Sequence, residues 1–216
     1  MTHSLHREGS VESLKDDFCL LAYCTKGINE QGARQKLLRI IDILQHNGLA
    51  NLGIPAARKS TKAGLTLIEI REMLEKQRIP RFWSSIPGEE NIHAVLKALK
   101  EGDFGLSITV SGLIGTIMEI SRKLDIQPHT ISVSGGIHGR TKRLPPPEIL
   151  EITTMCGHAM VSSGLVEKVV MEIKRRKRTY REGALELSRP CHCGIFNPVR
   201  AERLLRRVVP LMTLDG

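Results

Sequence analysis

Apolar residues in the first hundred positions follow two different patterns. Residues 18–25 form a short continuous apolar run with the length of a buried strand. The other apolar residues recur at helical spacing, and Thr66 with Glu69 three positions later forms a capping box, which marks a helix start. The polar residues 1–15 are expected to form a disordered tail. Helices are predicted over 30–46, 66–76 and 89–100, and connections over 49–64 and 78–87.

The middle of the chain predicts the fold class. A strand-like run at 104–110 is followed by helical spacing over 112–124 and by a second alternating run at 129–134. Strand, helix and strand in this order form a β-α-β unit, whose two strands run parallel with a right-handed crossover. We therefore predict an α/β fold with a small, mainly parallel sheet and flanking helices. Ligands of such sheets bind at the carboxyl ends of the strands, where Cys24 would also lie if the strand 18–25 joins in parallel.

Beyond three consecutive prolines at 145–147, the pattern changes to short helices. Asn197 followed by Pro198 supplies an N-cap and a first-turn proline for the last of them. We divide the chain into an α/β domain over 16–143 and a helical, cysteine-bearing region over 144–216 that packs on it. Helices of this region are predicted over 148–155, 165–177, 182–187 and 198–209.

Lysine and arginine exceed aspartate and glutamate by nine, and the excess is concentrated toward the carboxyl end. Residues 1–139 carry 17 basic against 15 acidic side chains, whereas residues 140–216 carry 15 against 8. A basic region favours an anionic partner, which is an anionic small molecule, an acidic protein surface or nucleic acid. A solvated basic face that only aids solubility is an equally good interpretation.

The sequence contains no stretch of about 18 uncharged apolar residues, so no membrane-spanning helix and no membrane partner are expected. Residues 1–15 lack the apolar core of a secretion signal, and we expect the chain to stay in the cytoplasm. Aromatic residues make up only 3% of the chain, which argues against stacking platforms for single-stranded nucleic acid. Because cytoplasmic thiols stay reduced, the five cysteines are not expected to form disulfides.

Three of the five cysteines lie in predicted loops of the basic region and form the leading candidate site. Cys156 lies in a Met-Cys-Gly-His tetrapeptide, and Cys191 and Cys193 lie in the sequence Pro-Cys-His-Cys-Gly. Thiolates at loops and helix boundaries bind soft metals, and three of them with a fourth ligand complete a tetrahedral site. The candidates for the fourth ligand are Cys24, which we prefer, His158 and His192.

The spacing of the cysteines favours an iron–sulfur cluster over zinc. Structural zinc sites usually have two residues between paired cysteines, whereas one residue separates Cys191 from Cys193. A cluster offers a separate iron to each thiolate and tolerates varied spacing, so a 4Fe–4S cluster is the favoured cofactor and zinc is the alternative. We predict a metal-binding protein whose cluster serves electron transfer, as in an oxidoreductase, or acts as a Lewis acid. Three buried, inert thiols are the competing interpretation.

A second candidate site follows the predicted strand 129–134 and is rich in glycine and cations. Backbone N–H groups next to arginine and lysine can bind phosphate or carboxylate. No helix is predicted to begin within the segment, so it is neither a dinucleotide fingerprint nor a P-loop. A flexible basic linker is an equally good interpretation. The predicted anion-binding residues are Ser134, Gly135, Gly136, His138, Arg140 and Lys142.

Two further functions stay open. The basic run 174–178 favours a nucleic-acid-binding regulator whose fold is stabilised by zinc or a cluster. Cations at a helix end also complement the helix dipole, which is the alternative explanation of this run. Cys156 with His158 or His192 as its base would instead make a cysteine-dependent enzyme. Whether the protein is an enzyme therefore stays open at this stage.

Overall fold

A five-stranded β-sheet lies between two layers of helices in the computed structural model, which describes residues 6–54, 57 and 59–212. The strands are β1 (Phe18–Tyr23), β2 (Asn51–Ile54), β3 (Lys59–Ser60), β4 (Arg81–Ile86) and β5 (Ser107–Ser111). Their order in the sheet is β3-β2-β4-β1-β5, and every neighbouring pair is antiparallel.

The prediction of a mainly parallel sheet is wrong, because its β-α-β unit is not present. The predicted strand 104–110 exists as β5 and a helix follows it, but residues 129–134 do not form a strand. Their apolar side chains do not enter a core, since Ile131 is 54% and Val133 72% exposed. The neighbours of β1 are β5 and β4, and β4 occupies the predicted connection 78–87. Both neighbours are antiparallel to β1.

Two strand-helix-strand units interleave in the sheet. β1 and β2 run in the same direction with β4 between them, and β4 and β5 run in the same direction with β1 between them. These four strands have the arrangement of a ferredoxin-like sheet, to which β3 adds a short fifth strand at one edge. β2 and β3 both lie within residues 49–64, so the prediction of a simple connection there is wrong as well.

Most predicted helices are present with small shifts of their ends. Thr66 and Glu69 form the predicted capping box. Asn197 caps the last helix as predicted, since its Oδ1 accepts hydrogen bonds from the N–H groups of Val199 at 3.1 Å and Arg200 at 3.2 Å. The helices are α1 (Val11–Leu14), α2 (Ala33–His46), α3 (Leu67–Lys76), α4 (Glu89–Gly102), α5 (Ile114–Lys123), α6 (Pro147–Thr153), α7 (Ser163–Lys174), α8 (Tyr180–Ser188) and α9 (Pro198–Leu211).

The sheet separates two hydrophobic cores. Phe18, Leu20 and Ala22 on one face of β1 belong to a core shared with α2, α3, α4 and α5. Cys19 and Leu21 on the other face belong to a core shared with α6, α7, α8 and α9. The alternation of side chains along β1 therefore directs one cysteine toward the carboxyl-terminal helices.

The described part of the predicted tail, residues 6–15, contains α1 and a buried arginine in place of the expected disorder. The side chain of Arg7 is 5% exposed. The carbonyl oxygen of Glu8 accepts a hydrogen bond from Arg200 Nη2 at 2.8 Å, which ties this segment to α9. Residues 1–5 of the predicted tail lie outside the described residues. Within the described part of the chain, no helix has the length and apolar character needed to cross a membrane.

Candidate metal and thiol site

The face of the sheet that meets the carboxyl-terminal helices carries a row of polar side chains. Asn51, Ser85, Cys19 and Ser111 are direct neighbours on β2, β4, β1 and β5. All four are buried, with exposed fractions of 0 to 4%. Because buried polar groups need hydrogen-bond partners, this row favours a polar segment packed directly on the sheet.

That segment is the loop between α8 and α9, residues 189–197. The carbonyl oxygen of Phe196 accepts hydrogen bonds from Asn51 Nδ2 at 3.2 Å and from Ser85 Oγ at 3.3 Å. Two neighbouring strands thus bind the same carbonyl group. The sheet therefore fixes the backbone immediately after the two cysteines of the loop.

Two glycines allow the loop to lie directly on β2. A Cβ atom at Gly53 would lie 2.5 Å from the carbonyl carbon of Cys193, and one at Gly194 would lie 2.3 Å from the Gly53 nitrogen. Gly194 also has a φ of +74°, in the left-handed region that favours glycine. The glycine after Cys193 is thus required by packing and by backbone conformation, and it brings the loop against the sheet.

Three cysteines and one histidine from two loops meet at this place. The α6–α7 loop supplies Cys156 and His158, and the α8–α9 loop supplies Cys191 and Cys193. The sulfur atoms of Cys191 and Cys193 are 3.7 Å apart, and Cys193 Sγ lies 3.6 Å from His158 Nδ1. Cys156 hydrogen-bonds to Cys191. The three thiols are buried, whereas His158 and His192 are exposed.

Hydrogen bonds among the three thiols shift their pKa values in different directions. The hydrogen bond from Cys191 lowers the pKa of Cys193, although burial opposes this. At Cys191 the hydrogen bond from Cys156 lowers the pKa, but the bond to Cys193 and burial outweigh it and raise the pKa to about 12. The bond to Cys191 and burial both raise the pKa of Cys156. Cys193 is therefore the member of this cluster that most readily becomes a thiolate.

Backbone N–H groups also donate hydrogen bonds to the three sulfur atoms. Such bonds favour the charged form of a thiol and therefore lower its pKa. Both loops turn back on their own cysteines, so that the donors come from residues a few positions downstream. The donors are the N–H groups of Ile195 for Cys193, Phe196 for Cys191, and His158 and Met160 for Cys156.

Of the other two cysteines, Cys19 lies near the start of β1 and Cys24 directly follows its end, so five residues of extended chain separate them by about 16 Å. Cys24, the preferred fourth ligand in the sequence prediction, donates a hydrogen bond to the carbonyl oxygen of Pro80 at 3.8 Å, and burial raises its pKa. Cys19 instead shares the core of the three clustered cysteines. The sequence carries a signal for this difference, because Cys19 has the same strand parity as Leu21 and Cys24 has the opposite one.

A buried ion-pair network adjoins the thiols at the start of β1. Arg7 donates hydrogen bonds to Cys19 Sγ at 2.7 Å, to the carbonyl oxygen of Ile195 at 2.5 Å and to Asp17 Oδ2 at 2.8 Å. The same Asp17 oxygen accepts a hydrogen bond from Arg200 Nη1 at 2.7 Å. Burial raises the pKa of Cys19, and the Arg7 guanidinium opposes this. No sequence pattern marks Arg7, since it lies in a polar segment without periodicity.

The predicted anion-binding residues lie on an exposed segment between α5 and α6. Ser134 Oγ accepts a hydrogen bond from the Gly136 N–H at 3.1 Å, and His138 Nε2 lies 2.7 Å from the carbonyl oxygen of Gly135. A longer-range contact joins His6 Nδ1 and Ser134 Oγ at 3.0 Å. The remaining two predicted residues are Arg140 and Lys142, which are also exposed. The structure places these residues on a surface segment with mainly local contacts.

As the side chains stand in the described part of the chain, no group of three or more His, Cys, Asp and Glu residues could hold a metal ion. The two short distances of the thiol cluster join Cys193 to Cys191 and Cys193 to His158. No family model, curated protein or solved structure matches the chain. Function is therefore argued from the chemistry of the site itself.

Proposed function

We propose that the chain binds one metal ion of the zinc class through Cys156, Cys191, Cys193 and His158. The observation that carries this proposal is the spacing of the donor atoms. In a tetrahedral site with Zn–S bonds of about 2.3 Å and a Zn–N bond of about 2.0 Å, two sulfurs lie about 3.8 Å apart and sulfur and nitrogen about 3.5 Å apart. The distances of 3.7 Å and 3.6 Å in the cluster match these two edges.

The same spacing supports a single metal ion over the iron–sulfur cluster that the sequence favours. In a cluster each thiolate binds its own iron, so two ligand sulfurs lie farther apart than two sulfurs that share one metal. The separation of 3.7 Å between Cys191 and Cys193 corresponds to a shared ion. Mononuclear iron fits a tetrahedral thiolate site as well, so the test has to identify the metal.

Metal binding requires the thiols to rearrange and to lose protons. Metal–sulfur bonds replace the hydrogen bonds among the thiols, and at least one side chain turns toward the others. The backbone N–H donors at each sulfur support this step, because they stabilise thiolates and orient ligands. Four protein ligands close the coordination sphere, which is typical of a structural site. The ion thus joins the α6–α7 loop to the α8–α9 loop and fixes both on the sheet.

Replacing Cys156, Cys191 or Cys193 singly by serine is expected to weaken zinc binding by on the order of 100-fold. A structural zinc site has a binding free energy of about 10–16 kcal/mol, which four ligands share at about 3 kcal/mol each. His158→Ala is expected to have a smaller effect, because water can occupy that exposed position. Competition between the reduced protein and a chromophoric chelator measures the four affinities.

Cys24→Ser is the matched control, since it removes a buried thiol from the far end of β1. Its zinc affinity is expected to equal that of the unmodified chain. An equal loss in this control and in the Cys193 variant would overturn the proposed ligand set. So would metal analysis that finds several irons and acid-labile sulfide in protein purified without oxygen, because those belong to a cluster.

A cysteine nucleophile is the second candidate function, and the lowered pKa of Cys193 favours it. His158 Nδ1 at 3.6 Å can act as its base, which is the pairing that nucleophilic thiols use. The structure favours Cys193 over Cys156 in this role, because the pKa of Cys156 is raised. Iodoacetamide should then alkylate Cys193 first, His158→Ala should slow this reaction, and added zinc should leave its rate unchanged. Protection by zinc supports the metal site instead.

A further inference from the structure

Acidic neighbours neutralise several arginines of the carboxyl-terminal helices and of the turns between them. Arg178 Nε lies 2.8 Å from a carboxylate oxygen of Glu172, and Arg178 Nη1 lies 3.7 Å from one of Glu186. Arg206 pairs with Glu202 on α9 at 2.7 Å. These contacts cancel part of the basic charge that the composition of this region indicates.

The segment from the last residue of α7 into the α7–α8 turn differs from its surroundings. It carries four consecutive cations that form no ion pair within 4.0 Å among the residues described. Arg176 has a φ of +56°, so the chain bends sharply there, and Thr179 with Glu182 forms a capping box that fixes the following helix. The members of this basic turn are Lys174, Arg175, Arg176 and Lys177.

The basic turn forms one wall of a groove of about 590 Å³ between the ends of α7 and α9 and the start of α8. Lys174, Arg176 and Lys177 line it together with Tyr180 and Glu182. The Glu182 carboxylate accepts hydrogen bonds from the N–H and hydroxyl groups of Thr179. The Arg206 guanidinium lies over the Tyr180 ring, 4.6 Å from its centroid. One face of this ring is therefore already occupied by a cation.

We propose that this groove binds the phosphodiester backbone of a nucleic acid without reading its bases. Cations along one wall match a row of phosphates, which supply most of the affinity in sequence-independent binding. The tyrosine ring carries Arg206 on one face and also packs against the carboxyl-terminal core, so it offers little surface for a base to stack on. The apolar residues of the groove, Ile173 and Val209, are only 7% and 6% exposed, so they do not project into a membrane or a protein partner. The groove acts independently of the metal site.

Replacing Arg176 and Lys177 together by glutamine is expected to weaken binding to a labelled oligouridylate and to a labelled DNA duplex about tenfold at low salt. Each lost phosphate contact also lowers the slope of log affinity against log salt concentration by about one, so the pair lowers it by about two. Fluorescence anisotropy between about 50 and 200 mM salt measures both effects. Both side chains are exposed, so the thermal unfolding midpoint should not change.

The matched control replaces Lys26 in the β1–α2 loop and Arg39 on α2, two exposed cations outside the carboxyl-terminal helices, by glutamine. It removes the same charge and should leave the affinity and the salt slope unchanged. An equal loss in this control overturns the proposal. Binding to polyglutamate or to anionic lipid vesicles as tight as binding to the oligonucleotides overturns it as well.

Discussion

Replacing Asp17 by asparagine is expected to lower the free energy of unfolding by about 3–5 kcal/mol, the usual cost of removing one partner from a buried ion pair. One oxygen of Asp17 lies 2.8 Å from Arg7 Nη1 and 2.7 Å from Arg200 Nη1. The three side chains are between 0 and 5% exposed. The substitution leaves the buried Arg7 guanidinium without its carboxylate, and solvent cannot compensate for it, whereas Arg200 keeps Glu151 Oε1 at 3.1 Å. Urea unfolding at neutral pH measures the difference.

Asp16→Asn is the control, because the neighbouring carboxylate pairs with Arg203 at the surface. Those two side chains are 30% and 55% exposed, so solvent screens the pair. Its removal should lower the free energy of unfolding by less than about 1 kcal/mol. Losses of similar size in the Asp16 and Asp17 variants would contradict the importance assigned to the buried network. A smaller m-value in either variant would indicate a change in the unfolded state instead.

Gly194→Ala is expected to lower the free energy of unfolding by about 3 kcal/mol and to weaken zinc binding. About 1 kcal/mol arises from placing a Cβ atom on a left-handed backbone, and the rest from overpacking. The new Cβ would lie 2.3 Å from the nitrogen of Gly53 and 2.4 Å from the carbonyl carbon of Leu52, both of which belong to a strand that cannot easily move. The loop therefore has to lift from β2 and take Cys193 with it. Urea unfolding and chelator competition measure the two effects.

Gly64→Ala separates the backbone effect from the packing effect. Gly64 has a φ of +91°, but a Cβ atom there would meet no atom within 4 Å. This variant should lose about 1 kcal/mol, the cost of the left-handed conformation alone, and should bind zinc normally. If the two alanine variants lose equal stability, close packing of the loop on β2 does not contribute, and the account of how the loop is positioned fails.

Local signals predict the helices of this fold well. The Thr66–Glu69 capping box and the Asn197 N-cap each mark a helix start that the structure contains. The apolar run 18–25 predicts β1 because a central strand is buried on both faces. These features depend on residues close together in sequence, so a single sequence is sufficient to detect them.

The sheet is harder to predict than the helices, because polar residues are buried in β2 and β4, two strands that the sequence pattern does not indicate. Asn51, Ser84 and Ser85 are 0% exposed, although periodicity analysis treats such residues as solvent-facing. Ser84 Oγ donates a hydrogen bond to the carbonyl oxygen of Leu20 at 3.1 Å, a partner that no sequence window contains. When β4 is not recognised as a strand, the run 129–134 supplies the second strand of a parallel β-α-β unit. Strand direction depends on such long-range pairing and not on local alternation.

The candidate site is predictable in part for the same reasons. Glycine and proline around Cys191 and Cys193 mark a loop in which thiols can approach each other. The contact between the His158 imidazole and Cys193 depends on how two loops meet in space. The network around Arg7 depends on a contact across most of the chain, from residue 7 to Ile195. The local spacing of residues in the sequence does not indicate that contact.

X-ray absorption spectroscopy at the zinc edge tests the central claim, a single ion held by three cysteines and one histidine, most directly. Zinc-loaded protein should show three sulfur atoms at about 2.3 Å and one nitrogen at about 2.0 Å. The scattering of the imidazole ring should disappear in His158→Ala. A first shell of oxygen and nitrogen only, or of four sulfurs, would contradict the proposed coordination by Cys156, Cys191, Cys193 and His158.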